Sequence, residues 1–183
     1  MNYKTYSSEG FILARRNFGE ADRILVLFTK DFGRISLIAK GVRKLTSRKR
    51  GGIEIFNKIK FSGVKGKSLD ILTEVLVLES YDEVRENLRR ISVGYYFCEL
   101  IGKTTRDNEK HEELFNILNE YFKKLEISRN LKQLRLNFIK DMLIELGFWP
   151  IGKKIDNPDM VLESVIERKL NSSRVGKKML QQD

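Results

Sequence analysis

The rhythm of apolar positions changes once along the chain. Up to about residue 80 apolar and polar positions alternate, and beyond Tyr81 the apolar ones recur every three or four residues. In the first region residues 10–18 alternate and are rich in β-forming types, and Gly19-Glu20-Ala21-Asp22 reads as a turn. Arg23-Ile24-Leu25-Val26-Leu27-Phe28-Thr29 forms a second strand. It is joined through Lys30-Asp31-Phe32-Gly33, where Gly33 can take a positive φ, to a third strand over residues 34–40. The second and third strands make a β-hairpin. After a long basic connection residues 53–62 alternate again, with Ile53, Ile55, Asn57 and Ile59 on one face and Glu54, Phe56, Lys58 and Lys60 on the other. A turn at residues 63–68 leads to a fifth strand over 69–78. Five short strands with Gly-containing turns in about 80 residues suit a small barrel. The OB-fold is the commonest such barrel that binds nucleic acid, and an SH3-like barrel is the alternative.

In the second region Leu88, Ile91, Tyr95, Cys98 and Ile101 describe one apolar helix face ending near Gly102. Leu114, Ile117, Leu118, Tyr121, Phe122 and Leu125 describe a second. Leu131, Leu134, Phe138, Met142 and Leu146 describe a third, stopped by Gly147 with Pro150 soon after. Asp156-Asn157-Pro158 reads as an N-cap with Pro in the first turn of a fourth helix over residues 159–170, followed by a frayed basic tail. The expectation is an α+β chain in two parts: a five-stranded β-barrel domain over residues 1–80, then a helical bundle domain over 81–183.

Charge sharpens this division. The net charge is +10. Residues 1–80 hold 16 Lys and Arg against 8 Asp and Glu, while residues 81–183 hold 19 against 17. The barrel therefore carries most of the excess, and an anionic partner is expected there. The single cysteine, Cys98, lies in an apolar run and reads as a buried hydrophobe. The single histidine, His111, sits among charged residues at a helix start. A disulfide within the chain and a cysteine/histidine zinc site are both excluded, so no metal and no cofactor is expected. No stretch approaches the roughly 20 apolar residues of a membrane span, and no signal peptide is read at the N-terminus. A cytoplasmic protein with no membrane partner is expected.

The chemistry concentrates in one segment. From Phe32 to Ile53 there is no acidic residue but there are seven basic ones: Arg34, Lys40, Arg43, Lys44, Arg48, Lys49 and Arg50. Clustered cations repel one another unless an anion neutralises them, and Ser47 can add a hydrogen bond to a phosphate oxygen. Arg15, Arg16, Lys58 and Lys60 are candidates to extend the patch. Six phosphates neutralised on a single strand would give a log–log salt slope of about −4. Phe18, Phe28, Phe32, Phe56 and Phe61 are possible stacking platforms; in a small barrel Phe is more often core, and Phe32, in a turn, is the least core-like of them. Glu20 and Asp22 beside Arg23 could suggest acid–base chemistry. With no histidine or third carboxylate nearby they read instead as structural, pinning Arg23 or turn amides. No catalytic residue is identified.

These segments resemble the bacterial RecO family of recombination mediators and DNA repair proteins. The resemblance runs through Glu9-Gly10-Phe11-Ile12-Leu13, Phe18-Gly19-Glu20-Ala21-Asp22-Arg23, Phe28-Thr29, Gly33-Arg34 and Ala39-Lys40-Gly41-Val42-Arg43. It continues through Leu72-Thr73-Glu74-Val75, Gly147-Phe148-Trp149-Pro150 and the stretch 166–172. It implies an OB-fold followed by a helical domain, and a non-enzymatic protein, nucleoid-associated, that binds single- and double-stranded DNA, anneals strands and helps load the recombinase. It further implies two partners, the acidic tail of single-strand-binding protein and the mediator RecR. Arg135 and Lys140 are a conceivable groove for the tail. Many relatives insert a four-cysteine zinc module before the last helix, whereas here residues 150–156 pass straight across that place, so a shortened, metal-free version is expected. An RNA-binding or ribosome-associated OB-fold adaptor is the alternative that charge alone permits equally well.

Overall fold

The computed structural model describes residues 4–166, which fall into two compact units. The first unit comprises the residues up to Ser80 together with Thr105–His111. It contains β1 (Thr5–Phe18), β2 (Asp22–Thr29), β3 (Gly33–Ala39), β4 (Lys58–Val64) and β5 (Asp70–Glu79), which close into a barrel in the order β1-β2-β3-β5-β4. The pairings are antiparallel except β3 with β5, which run parallel at Leu37–Asp70 and Ile38–Ile71. This is the expected OB-fold.

Closure depends on β1, which is long enough to serve two neighbours. Residues 5–11 pair with β4 and residues 10–18 with β2, and the register with β2 shifts between Ile12 and Ala14. A bulge there bends the strand, as a small barrel requires. Inward-facing Ile12, Leu25, Leu27, Leu37, Ile59, Phe61 and Leu72 fill the interior and are almost wholly buried. Each such side chain contributes about 1.5–3 kcal/mol.

The alternation over residues 53–57 does not form strand. Gly51–Ile53 is a 3-10 turn, and β4 starts only at Lys58. Phe56 takes a left-handed φ of 79°, and Phe56 and Asn57 are both buried. Two consecutive inward side chains are incompatible with a strand, whose side chains alternate. Asn57 is drawn inward because its side-chain amide donates to the carbonyls of Gly51 and Gly52, at 3.5 and 3.1 Å.

The second unit holds α1 (Asp82–Arg85), α2 (Leu88–Thr104), α3 (Glu112–Ile127), α4 (Leu131–Glu145) and α5 (Pro158–Val165). Its centre is aromatic: Phe97 packs on Phe138 with centroids 4.1 Å apart, and on Tyr121 and Phe122 at 6.0 Å. The face of α2 matches the one its spacing predicts only in part: Cys98 and Ile101 are buried as expected. Leu88 and Tyr95 are exposed, while Val93, Tyr96, Phe97 and Leu100 are buried. The run from Val93 to Ile101 is apolar nearly all round, so packing partners rather than periodicity select the face.

The helix ends follow their signals. At Gly147 (φ 76°) the N–H groups of Gly147 and Phe148 reach back to the carbonyls of Ile144 and Leu143, a Schellman closure of α4. Asn157 caps α5 by accepting from the Met160 N–H, with Pro158 in the first turn. That helix stops at Val165, with Ile166 already extended. The expected continuation to Leu170, the basic tail and most of the stretch 166–172 lie outside the described residues.

Candidate nucleic-acid interface

The basic segment leaves β3 at Ala39 and does not hang loose. Gly41 turns with a φ of 65°, and Val42 then buries completely in the barrel core. A chain of tight turns follows, in which the N–H groups of Lys44, Ser47, Arg50 and Gly52 each donate to the carbonyl three residues back, at 3.1–3.3 Å. The last turn delivers Ile53, also fully buried, into the same core. Gly52 lies close to β5, where a Cβ would come within 3.1 Å of Val75. Two apolar anchors thus hold a wound loop whose other side chains, Ser47 and Lys49 apart, are exposed.

A second set of contacts fastens this loop to the β1–β2 turn. Asp22 Oδ1 accepts the Gly41 N–H at 2.7 Å, the Arg43 N–H donates to the Ala21 carbonyl at 2.9 Å, and Arg43 Nη1 donates to the Gly19 carbonyl at 3.1 Å. The Gly19-Glu20-Ala21-Asp22-Arg23 and Ala39-Lys40-Gly41-Val42-Arg43 segments are therefore one structural unit. Asp22 pins an amide, as its type suggests, but the amide belongs to the neighbouring loop. Arg23 is held by neither carboxylate; its Nε donates to Asn17 Oδ1 at 3.3 Å.

The expected site residues divide by what neutralises them. Lys40, Arg43, Lys44, Arg48 and Arg50 are exposed and form no ion pair with any described residue. Ser47 is half-buried among them, and Lys49 turns its ammonium onto the Leu72 carbonyl at 3.1 Å. Arg34 does not join this group. It stands at the start of β3, six residues before Lys40 and so about 20 Å away along an extended strand. Its Nε is 2.7 Å from Asp107 Oδ1, and its carbonyl accepts the Asn108 N–H. Of the possible extensions, Arg15 pairs with Glu54 and Lys58 Nζ lies 3.2 Å from Glu9 Oε2. Arg16 and Lys60 remain exposed, with no ion pair to a described residue. Among the phenylalanines Phe28, Phe56 and Phe61 are core, while Phe18 and Phe32 are exposed.

One member of the cationic cluster is Arg23, which residue type and spacing had set aside as structural. Burial lowers its guanidinium pKa, and the charges of Arg15, Arg43 and Arg50 push it further down, against Glu54. Four arginines from β1, β2 and the loop thus lie within electrostatic reach of one another. The hairpin register carries the missed signal: Asn17 pairs with Arg23 and Arg15 with Leu25, so Arg15 and Arg23 are diagonal neighbours on one face.

Elsewhere, Cys98 is buried in α2, and burial pushes its thiol pKa up. His111 precedes α3, with Nε2 3.6 Å from Glu109 Oε1. Arg135, considered for a peptide groove, turns inward instead. It makes two hydrogen bonds to Asp159, at 2.6 and 2.8 Å, and lies over the Tyr96 ring. Among the described residues no group of three or more His, Cys, Asp or Glu is placed to hold a metal ion. No described helix is long and apolar enough to cross a membrane.

Comparison with known proteins agrees with this architecture. Residues 1–81 match the family model described as Recombination protein O N terminal, and residues 85–153 match Recombination protein O C terminal. A DNA repair protein RecO of Pelotomaculum thermopropionicum is 33% identical over 148 residues, covering 81% of this chain and 57% of that protein. Its counterparts in Alkaliphilus metalliredigens and Gloeothece citriformis are 37% and 36% identical, over 61% and 67% of this chain and 45% and 44% of theirs. The chain spans about half the length of these curated relatives.

Proposed function

Because this chain belongs to the recombination protein O (RecO) family, we propose that it is a DNA-binding repair protein whose barrel grips phosphate backbones through the loop of residues 40–50. One observation carries this reading: Lys40, Arg43, Lys44, Arg48 and Arg50 project from an anchored loop with no carboxylate among the described residues to neutralise them. Cations left without an internal counter-charge are available to displace the counterions of a polyanion. Nothing in the loop offers an ordered recognition helix, so the grip is on the backbone and tolerant of base sequence. Held against two strands at once, the same cations lower the repulsion that slows pairing. That is the physical basis for strand annealing, and with it for a non-enzymatic mediator role in loading the recombinase.

The family likeness extends the proposal to a cytoplasmic, nucleoid-associated protein. Its barrel (residues 1–80) would bind DNA, and its helical part (81–183) would meet the acidic tail of single-strand-binding protein and RecR. Arg135, occupied by Asp159, is not offered for that tail.

The test is fluorescence anisotropy of a labelled single strand across a salt series. Five phosphates neutralised at about 0.7 each give a slope of about −3.5. Replacing the five loop cations with Gln should bring the slope close to zero and abolish annealing in a protein that still folds, its melting temperature lowered only by loss of the Arg43–Gly19 hydrogen bond. An unaltered slope in that variant, or a clear preference for an RNA strand of the same sequence, would refute the reading.

A further inference from the structure

The end of the barrel away from the basic loop carries a cavity of about 260 Å³ whose lining the backbone grip leaves unexplained. It is formed by Lys4 and Tyr6 at the start of β1, Asp31 and Phe32 in the β2–β3 turn, Lys65 after β4, and Asn108. The last comes from the segment Thr105–His111, which returns to the barrel and presses so close that a Cβ on Gly33 would meet the Glu109 carbonyl at 1.8 Å. We infer that this cavity holds one unstacked nucleobase of a strand whose backbone is gripped by the loop. The inference rests on the DNA-binding reading above and adds a base-dependent subsite to it.

Three features select a base over other ligands. The cavity is aromatic where a planar group would lie. Phe32 is 36% exposed and is fixed by an edge contact with Tyr6, ring centroids 5.1 Å apart. Tyr6 is itself fixed, because its hydroxyl donates to Asp70 Oδ2 at 2.6 Å and Lys65 Nζ sits 4.9 Å from its ring. An aromatic held this rigidly can stack on a base with little further ordering. Polar groups stand around it. Asp31, steadied by the Ser8 hydroxyl at 2.6 Å, is an acceptor for an exocyclic amino group, and the Asn108 side-chain amide has no partner among the described residues. Finally, the volume falls just below the roughly 300–1,000 Å³ of sites for drug-sized ligands, suited to a single ring system.

Charge argues against an acidic peptide as occupant. Lys65 is already neutralised by Asp70, Oδ2 at 2.9 Å, and the remaining lining charges, Lys4 and Asp31, cancel, so an added carboxylate would find no net positive charge. A neutral base needs none. Geometry links the two sites. Ser36 and Ile38, half-buried between inward-facing buried neighbours, mark the outer side of β3 from Arg34 to Lys40. The eight residue-to-residue steps from Phe32 to Lys40 correspond to about 26 Å of strand. A single strand lying along β3 can therefore reach both, at the low end of the ~4–16 nucleotides an OB-fold covers.

The experiment compares a single-stranded oligonucleotide with an abasic strand of equal length, for the wild type, Phe32→Leu, Asn108→Gly and the loop variant. Leu keeps apolar bulk without a ring face, and Gly keeps the left-handed backbone of Asn108 (φ 61°) without its amide. The wild type should bind the base-bearing strand roughly five-fold or more tightly than the abasic one. Phe32→Leu should remove most of that difference and Asn108→Gly part of it, both leaving abasic affinity and salt slope intact. The loop variant should lose both strands. Equal binding of the two strands by the wild type, or a base preference that survives Phe32→Leu, overturns the base subsite while the backbone grip stands. Failure of the wild type to bind either strand overturns the grip itself.

Discussion

The cations of the barrel fall into two populations that look alike in sequence. On the strands Arg15, Arg34 and Lys58 each have a carboxylate partner, Glu54, Asp107 and Glu9 respectively, whereas Arg16, Arg23 and Lys60 form no ion pair with a described residue. Those of the 40–50 loop have none among the described residues. Local composition explains the contrast. Closing the barrel brings together residues distant in sequence, so Arg15, Arg34 and Lys58 each meet an acid from another segment, whereas the loop anchored by Val42 and Ile53 contains no acid to offer its own cations. A count of basic residues overstates a binding surface, and the absence of partners is what identifies it. Partly exposed ion pairs of this kind contribute little, about 0–1 kcal/mol each, so their effect is to neutralise charge.

The comparison breaks most severely if the anchor is removed. Ile53→Ala deletes a fully buried side chain at the loop's exit and should cost about 2–5 kcal/mol. The melting temperature of the variant should fall clearly and its DNA affinity should fall with it. If affinity were unchanged in the folded variant, the loop's winding would be irrelevant to its function. A smaller loss is expected for Asp22→Ala, which leaves the Gly41 N–H without its acceptor. Destabilisation of about 1–2 kcal/mol is predicted by denaturant unfolding, with Asp22→Asn recovering part of it.

How much of this was legible beforehand follows the same division between local and distant contacts. The hairpin of β2 and β3, the stop at Gly147 and the cap at Asn157 rest on neighbours in sequence, and residue type was enough to find them. The loop and its fastening pair of motifs stood out because their residues are unusual for their surroundings. What stayed hidden depends on partners far along the chain. Asp107 reaches Arg34 from 73 residues away, Glu54 reaches Arg15 from 39, and Phe138 chooses the buried face of α2. The false strand over residues 53–57 has the same origin. Its alternation is genuine, but Asn57 serves the Gly51 and Gly52 carbonyls and Phe56 turns left-handed, which only the closed barrel reveals.

The finest discrimination comes from single cations of the two populations. Arg43→Gln removes a loop cation and should reduce the magnitude of the single-strand salt slope by about 0.7, weakening binding uniformly across sequences. Arg34→Gln removes a cation that Asp107 already neutralises, so its slope should stay within error of the wild type and its stability within about 1 kcal/mol. The reciprocal change, Asp107→Asn, removes the carboxylate charge that neutralises Arg34. If availability rather than charge count decides binding, this variant gains a contact and its slope steepens by up to about 0.7. Identical slopes for Arg43→Gln and Arg34→Gln would mean that ion pairing in the free protein does not determine which cations meet DNA.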